Sequence, residues 1–191
     1  MNVKITYPAV EKHRLQRNKF LKILRWPYLA AAVICPVVNY CTGGKAWSVI
    51  VLMGMYMMWK LVLSPDLVEY NRLSQTIKLI VYSCILMVLI DYFLAPGWAS
   101  TVVPIVGFGG LALAGTLLFS DLERQKQNYL PLLFLIILAL VATVVGLNLW
   151  EGASQWALMV LGGVAVLLLI SSGISMGSDF IRELKRRFHI K

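Results

Sequence analysis

The chain has 191 residues, of which 59% are hydrophobic and only 14% are charged. Soluble domains have roughly 45–50% apolar and about 25% charged residues, so this composition excludes a soluble enzyme and a disordered chain and indicates one integral membrane domain. The net charge of +9 does not indicate a nucleic-acid-binding protein, because the basic residues lie at the ends of apolar segments and not within a nucleic-acid-binding motif.

Apolar segments long enough to cross a membrane follow one another along the chain. A spanning helix needs about 20 mostly apolar residues, and these uniform runs do not alternate as the strands of a membrane barrel do. The sequence therefore predicts an all-α polytopic membrane protein. Its six transmembrane helices are expected over 23–40, 47–63, 77–94, 99–119, 130–149 and 156–176. The second is short, and we expect the Lys60 amine to extend to the interface.

The distribution of Lys and Arg predicts the orientation. Of the 18 basic residues, all but Lys45 fall on the side that holds both termini, which the positive-inside rule places in the cytoplasm. The predicted parts are a basic cytoplasmic or interfacial segment (1–22), a transmembrane domain (23–177) and a basic amphipathic tail (178–191). We expect residence in the cell membrane, contact with anionic inner-leaflet lipids, a possible membrane partner protein and no nucleic acid.

Residues 10–26 are basic with interspersed apolar side chains. This pattern allows two interpretations. One is a helix that lies in the membrane interface. The other is an extension of the first span into the cytoplasm, stabilised by nearby anionic lipid.

The three connections on the outer side share one pattern. Each has Asn or Asp, an aromatic residue within two positions, then Gly, and then Trp seven or eight residues after the Asn or Asp. The Asn or Asp positions are separated by 52 and 57 residues, which is the length of one helical hairpin. The pattern predicts three αα-hairpin repeats. Helix caps and an aromatic belt at the interface are the alternative explanation.

Asp91 is the unusual member of this pattern. A carboxylate at a helix C-terminus opposes the helix dipole, and at the membrane boundary it needs a partner. If the hairpins surround one axis, Asp91 is held by the amide of Asn39 or Asn148 or by a serine hydroxyl. We therefore expect a ligand pocket formed by these residues and the three tryptophans: Asn39, Asp91, Asn148, Trp47, Trp98 and Trp156.

Small residues predict where helices pack closely. The expected packing positions are Gly107, Gly109, Gly110, Gly115, Gly162 and Gly163. Pro104 removes a helical hydrogen bond and predicts a kink. The alternative interpretation of this fourth helix is a kinked helix that lines a substrate cavity.

The sequence contains no recognisable catalytic constellation. His13 and His189 both lie outside the predicted spans, and the three cysteines form no CxxC pair. We therefore expect no catalytic residue, metal site or cofactor, which favours a non-enzymatic component that binds a partner protein or lipid. Two alternatives remain open. One is a small transporter or the substrate-binding membrane subunit of a transporter, and the other is a membrane enzyme or accessory that acts on lipid headgroups with Asp91 as the base.

Three segments carry a family resemblance: Tyr7-Pro8 before a basic stretch, the span that ends at Asn39, and the run from Asp91 through Gly97-Trp98-Ala99-Ser100 to Pro104. They resemble an uncharacterised family of Gram-positive bacterial polytopic membrane proteins. The resemblance covers most of the chain and implies a cell-membrane location and no known activity. Members of that family often carry an N-terminal zinc ribbon, which is absent here because no cysteine precedes Cys35.

Overall fold

The computed structural model of the protein describes residues 12–63, 72–120, 129–149 and 154–176. Within these ranges the chain is helical apart from short turns, which confirms the predicted all-α class. The helices are α1 (Lys12–Thr42), α2 (Trp47–Met58) with a π-helical turn (Trp59–Leu63), α3 (Arg72–Phe93), α4 (Ala99–Ser120), α5 (Leu130–Leu149) and α6 (Gln155–Met176).

Five helices in the described ranges are long and apolar enough to cross a membrane: Lys19–Thr42, Arg72–Phe93, Ala99–Ser120, Leu130–Asn148 and Gln155–Ser175. At 1.5 Å per residue they reach about 28–36 Å, which matches a hydrocarbon core of about 30 Å. The α2 helix has 12 residues and its π-helical turn has 5, so together they reach only about 25 Å. A sixth span therefore stays a prediction.

The chain divides into two compact units, Met1–Ser64 and Pro65–Lys191. In the first unit α1 and α2 form a hairpin, and the rings of Tyr28 and Trp59 contact each other with centroids 5.2 Å apart. The α1 helix includes residues 12–22 of the predicted basic segment, and whether they lie in the interface or in the cytoplasm stays a prediction. The predicted amphipathic tail, 178–191, lies outside the described residues.

The second unit contains helices α3 to α6 and the main buried core. The α3–α4 and α5–α6 pairs are consecutive hairpins, and α4 also packs against α6. All four helices contribute fully or nearly fully buried apolar side chains, among them Leu73, Ile77, Leu111, Leu118, Leu132, Ile136, Leu161 and Ala165. Lipid tails are as apolar as leucine, so van der Waals packing is what holds such helices together.

Glycines bring these helices close at defined points. A Cβ added at Gly110 would lie 2.6 Å from Cγ2 of Ile80 on α3, and one added at Gly162 would lie 2.8 Å from Cγ2 of Thr143 on α5. A Cβ at Gly115 would lie 2.7 Å from Leu168. These distances are shorter than van der Waals contact, so a Cβ at any of these three glycines would require the neighbouring side chain or helix to shift.

The six glycines predicted for packing therefore fall into two groups. Gly107, Gly110, Gly115 and Gly162 each face a side chain of another helix. Gly109 and Gly163 have no such atom within 4 Å of an added Cβ in the described structure. A Cβ added at Gly146, which is not among the six predicted glycines, would lie 2.9 Å from the side chain of Leu158.

Candidate functional site

Asp91 lies in the last turn of α3, and its side chain caps the start of α4. Its Oδ1 accepts hydrogen bonds from the main-chain N–H groups of Gly97 (2.9 Å), Trp98 (2.8 Å) and Ala99 (2.9 Å). The first N–H groups of a helix have no partner within it and carry the positive end of its dipole. The carboxylate at the end of α3 is therefore stabilised by α4. Its donors are main-chain groups, not the amide or hydroxyl side chains that we expected.

Asn39 makes the corresponding contact in the first hairpin. Its Oδ1 accepts a hydrogen bond of 2.9 Å from the main-chain N–H of Ser48. Ser48 directly follows Trp47, as Ala99 directly follows Trp98. In both turns, a side-chain oxygen near the end of one helix thus binds the N–H of the residue after the tryptophan.

Asn148 makes a different contact. Its Nδ2 donates to the main-chain carbonyl of Val144 at 2.7 Å, within its own helix, and the residue is exposed. A side-chain contact nevertheless joins the starts of α4 and α6, where the hydroxyl oxygens of Thr101 and Ser154 lie 2.8 Å apart. Residues 150–153, which complete the α5–α6 connection, lie outside the described residues.

The three tryptophans of the predicted pocket lie at helix starts. Trp47 and Trp98 are half-buried, whereas Trp156 is 62% exposed. Among the six predicted pocket residues, the structure joins Asp91 to Trp98 by a hydrogen bond. The outer ligand pocket as a whole stays a prediction.

An apolar cavity of about 290 Å³ lies among the four helices of the second unit. Its floor includes Gly107 on α4 and Leu161 on α6, and Val88 on α3 and Leu138 on α5 lie at its rim, where they are 39% and 40% exposed. The Cys84 thiol is the only polar side-chain group among the described lining residues. The cavity is therefore suited to an apolar occupant.

The position of the cavity along the helices follows from helix geometry. Its lining on α3 runs from Ile80 to Leu89, so it begins about 20 Å before the end of that helix at Phe93 and ends about 6 Å from it. On α5 it extends from Leu135 to Ala142. The sequence did not predict this cavity, because a pattern of apolar residues does not show where packing between helices is incomplete.

The model of a family of unknown function, DUF6320, matches residues 7–190. The chain belongs to this family. The expected membership of an uncharacterised family is thereby confirmed, whereas the Gram-positive source and the zinc ribbon of other family members stay predictions. No curated protein and no solved structure matches the chain.

The DUF6320 chain has a buried polar pair near the ends of α5 and α6 away from their connection. The hydroxyl oxygens of Tyr129 and Ser172 lie 2.6 Å apart, and both residues are buried. Ser172 also donates to the main-chain carbonyl of Leu169 at 3.0 Å, and either hydroxyl can be the donor within the pair. Burial raises the pKa of the Tyr129 hydroxyl, so this hydroxyl keeps its proton at neutral pH.

Metal ligands do not cluster in the described part of this DUF6320 protein. No group of three or more His, Cys, Asp or Glu lies close enough there to hold a metal ion. Cys35, Cys41 and Cys84 are free thiols.

Proposed function

We propose that this chain is a non-enzymatic integral membrane protein that binds a membrane lipid, with an acyl chain seated in the cavity of the second unit. The observation that carries the proposal is the apolar lining of that cavity by all four helices. The helices that form it are long and apolar enough to span a membrane.

The depth of the cavity supports an acyl chain as the occupant. Its lining on α3 lies between about 6 and 20 Å from the end of the helix, which is the level of the hydrocarbon core in a membrane about 30 Å thick. The solvent at that level consists of acyl chains. A volume of about 290 Å³ is near the lower end of the range for small-molecule sites, about 300–1,000 Å³, and fits part of one chain.

The mouth of the cavity supports entry from the side. Ile85 and Val88 on α3 and Leu138 and Ala142 on α5 are exposed at its rim. An acyl chain in contact with these residues keeps an apolar environment while it moves from the bilayer into the cavity. Closer packing inside the cavity adds dispersion contacts that the fluid bilayer does not supply.

The proposal includes a topology. We infer six spans arranged as three hairpins in the cell membrane, with both termini in the cytoplasm. The Lys and Arg distribution supports this orientation, and the matching caps made by Asn39 and Asp91 support a relation between the first two hairpins.

Native mass spectrometry of the full chain in mild detergent tests lipid binding. The variant Ala142→Phe fills the cavity from its exposed rim, and Ala112→Phe is the matched control, because Ala112 is an exposed residue of α4 outside the lining. We expect Ala142→Phe to retain one lipid fewer than the wild type and Ala112→Phe, with equal helix content in all three. Equal retention by both variants contradicts the proposal. Retention of a water-soluble small molecule in place of lipid contradicts it in favour of a transporter subunit.

A further inference from the structure

The first hairpin contains a cavity of its own, with a volume of about 420 Å³. It lies between α1 and α2 and the π-helical turn that follows α2. Unlike the cavity of the second unit, it includes a charged side chain, that of Arg25, and it has no Asp or Glu among its lining residues. The cavity therefore carries a positive charge that its own walls do not neutralise.

Aromatic side chains surround the charged end of this cavity. The rings of Tyr28 and Trp59, which both line it, contact each other with centroids 5.2 Å apart and an interplanar angle of 56°. Tyr and Trp are enriched at the membrane–water interface, where their rings lie at the level of the lipid headgroups. The combination of an exposed Arg with Tyr and Trp is typical of that level.

The cavity changes from charged to aliphatic along the hairpin axis. Arg25 lies 14 residues before Asn39 at the α1–α2 turn, or about 21 Å from it, whereas Ala32 lies only about 10 Å from it. On α2, Trp59 lies about 18 Å from the start at Trp47, and Leu52 lies about 8 Å from it. Ala32 and Leu52 both line the cavity. The charged end is thus farthest from the turn, and the aliphatic end is nearer the middle of the membrane.

This order matches the order of groups in a phospholipid. We infer that the cavity binds one anionic membrane phospholipid, with its phosphate on Arg25 and an acyl chain along Ala32 and Leu52. A guanidinium binds phosphate oxygens through two parallel charge-assisted hydrogen bonds, and Tyr28 also lines the cavity. The inference goes beyond the proposed function, because it concerns a different cavity and requires selection for headgroup charge.

The test compares neutralisation of two basic residues one helical turn apart. Arg25→Gln removes the charge that lines the cavity, and Lys22→Gln removes an exposed charge of α1 that does not line it. Each full-length variant is purified in detergent with equal amounts of phosphatidylglycerol and phosphatidylcholine, and bound lipid is measured by native mass spectrometry. We expect the wild type and Lys22→Gln to prefer phosphatidylglycerol. In Arg25→Gln the ratio of bound phosphatidylglycerol to bound phosphatidylcholine should be about tenfold lower, as expected for the loss of one charge-assisted contact.

A second pair of variants tests the aliphatic end. Ala32→Leu fills the cavity, and Ala30→Leu adds the same side chain at an exposed residue outside it. We expect Ala32→Leu to lose phosphatidylglycerol from this site and Ala30→Leu to retain it. Inorganic phosphate at millimolar concentration is not expected to displace the lipid, because it lacks the acyl chain.

Several results would overturn the inference. An equal loss of preference in Arg25→Gln and Lys22→Gln would mean that diffuse positive charge attracts the lipid, and displacement by inorganic phosphate would mean that the site binds a free anion. Full retention by Ala32→Leu, or no preference in the wild type, would also refute it. Ala142→Phe is the control for the other cavity, since it leaves the first hairpin unchanged, so the two proposals fail independently.

Discussion

The carboxylate oxygen Oδ1 of Asp91 lies 2.8 Å from the main-chain nitrogen of Trp98, across the turn that joins α3 to α4. The last turn of one helix thus supplies the acceptor that the first turn of the next helix lacks. Because the same oxygen also binds the N–H groups of Gly97 and Ala99, one side chain fixes the geometry of the whole connection. Gly97 contributes by adopting φ +112°, a conformation that other residues rarely adopt.

This geometry predicts that Asp91→Ala destabilises the protein. Three main-chain donors lose their acceptor, and a helix start without a cap is costly near a membrane. We expect a loss of about 1–3 kcal/mol in the free energy of unfolding, measured by unfolding in mixed detergent micelles. Asn148→Ala is the control, since Asn148 is exposed and its hydrogen bond in the described structure lies within its own helix, and its effect should stay within about 0.5 kcal/mol. Unchanged stability of Asp91→Ala would show that the cap contributes nothing.

The variant Asp91→Asn separates the cap from the predicted outer pocket. Its amide oxygen still accepts hydrogen bonds, although the charge that favours the helix start is lost. If Asp91 only caps α4, we expect a small loss of stability and unchanged lipid retention in native mass spectrometry. A stable variant that loses its ligand would instead support the pocket formed with Asn39 and Asn148.

The prediction that Asp91 needs a partner is confirmed, but the predicted donors, the amides of Asn39 or Asn148 or a serine hydroxyl, were wrong. At the end of α3, the helix dipole opposes a carboxylate. The favourable partner is the start of α4, and it becomes available because the turn returns the chain within hydrogen-bond distance. A local pattern identifies the residue, whereas the path of the turn decides the contact.

Adjacent glycines show the same limit. The sequence predicts Gly109 and Gly110 equally as packing positions, because both are glycines. They nevertheless point about 100° apart around α4, at 3.6 residues per turn. Only the position of the neighbouring helix separates them. Helix class and approximate bounds were predictable, because length and apolarity are properties of a single segment, whereas cavities and packing faces depend on several segments together.

The two glycines provide a matched stability test. Gly110→Ala places a Cβ 2.6 Å from Cγ2 of Ile80, a branched side chain with little freedom to move. We expect a loss of about 1–3 kcal/mol from overpacking. Gly109→Ala meets no described atom within 4 Å and should be neutral or stabilising, because Ala favours a helix over Gly. Equal effects of the two substitutions in the same unfolding assay would contradict the packing of α4 on α3.

The Tyr129–Ser172 pair predicts a pH dependence. The pKa of Tyr129 is raised above its ordinary value of 10.0 by burial, so the folded protein holds this proton more tightly than the unfolded chain. The stability contributed by the protonated hydroxyl is fully present below pH 10 and is lost as the pH rises through the raised pKa.

Comparison of the wild type with Tyr129→Phe measures this effect. At neutral pH we expect the substitution to cost about 1 kcal/mol through the lost hydrogen bond to Ser172. Above about pH 10 the difference between the two proteins should shrink, because only the wild type carries the Tyr129 proton. Tyr92→Phe is the control at a residue that is 78% exposed, and it should show neither effect. A difference that is constant across this pH range would contradict the raised pKa.

Thiol labelling in intact cells tests the orientation. Cys41 is an exposed residue at the end of α1, beside the α1–α2 turn, whereas Cys35 and Cys84 are partly buried within helices. If both termini are cytoplasmic, this turn faces the outside, so an impermeant maleimide should label the wild type, and Cys41→Ala should abolish that labelling.

On a cysteine-free background, a cysteine at exposed Ala95 in the α3–α4 turn should also react. A cysteine at Gln125, in the connection between α4 and α5, should react only after the membrane is permeabilised. Labelling of Gln125→Cys in intact cells would contradict the proposed topology, and labelling at both Ala95 and Gln125 would mean that α4 does not cross the membrane.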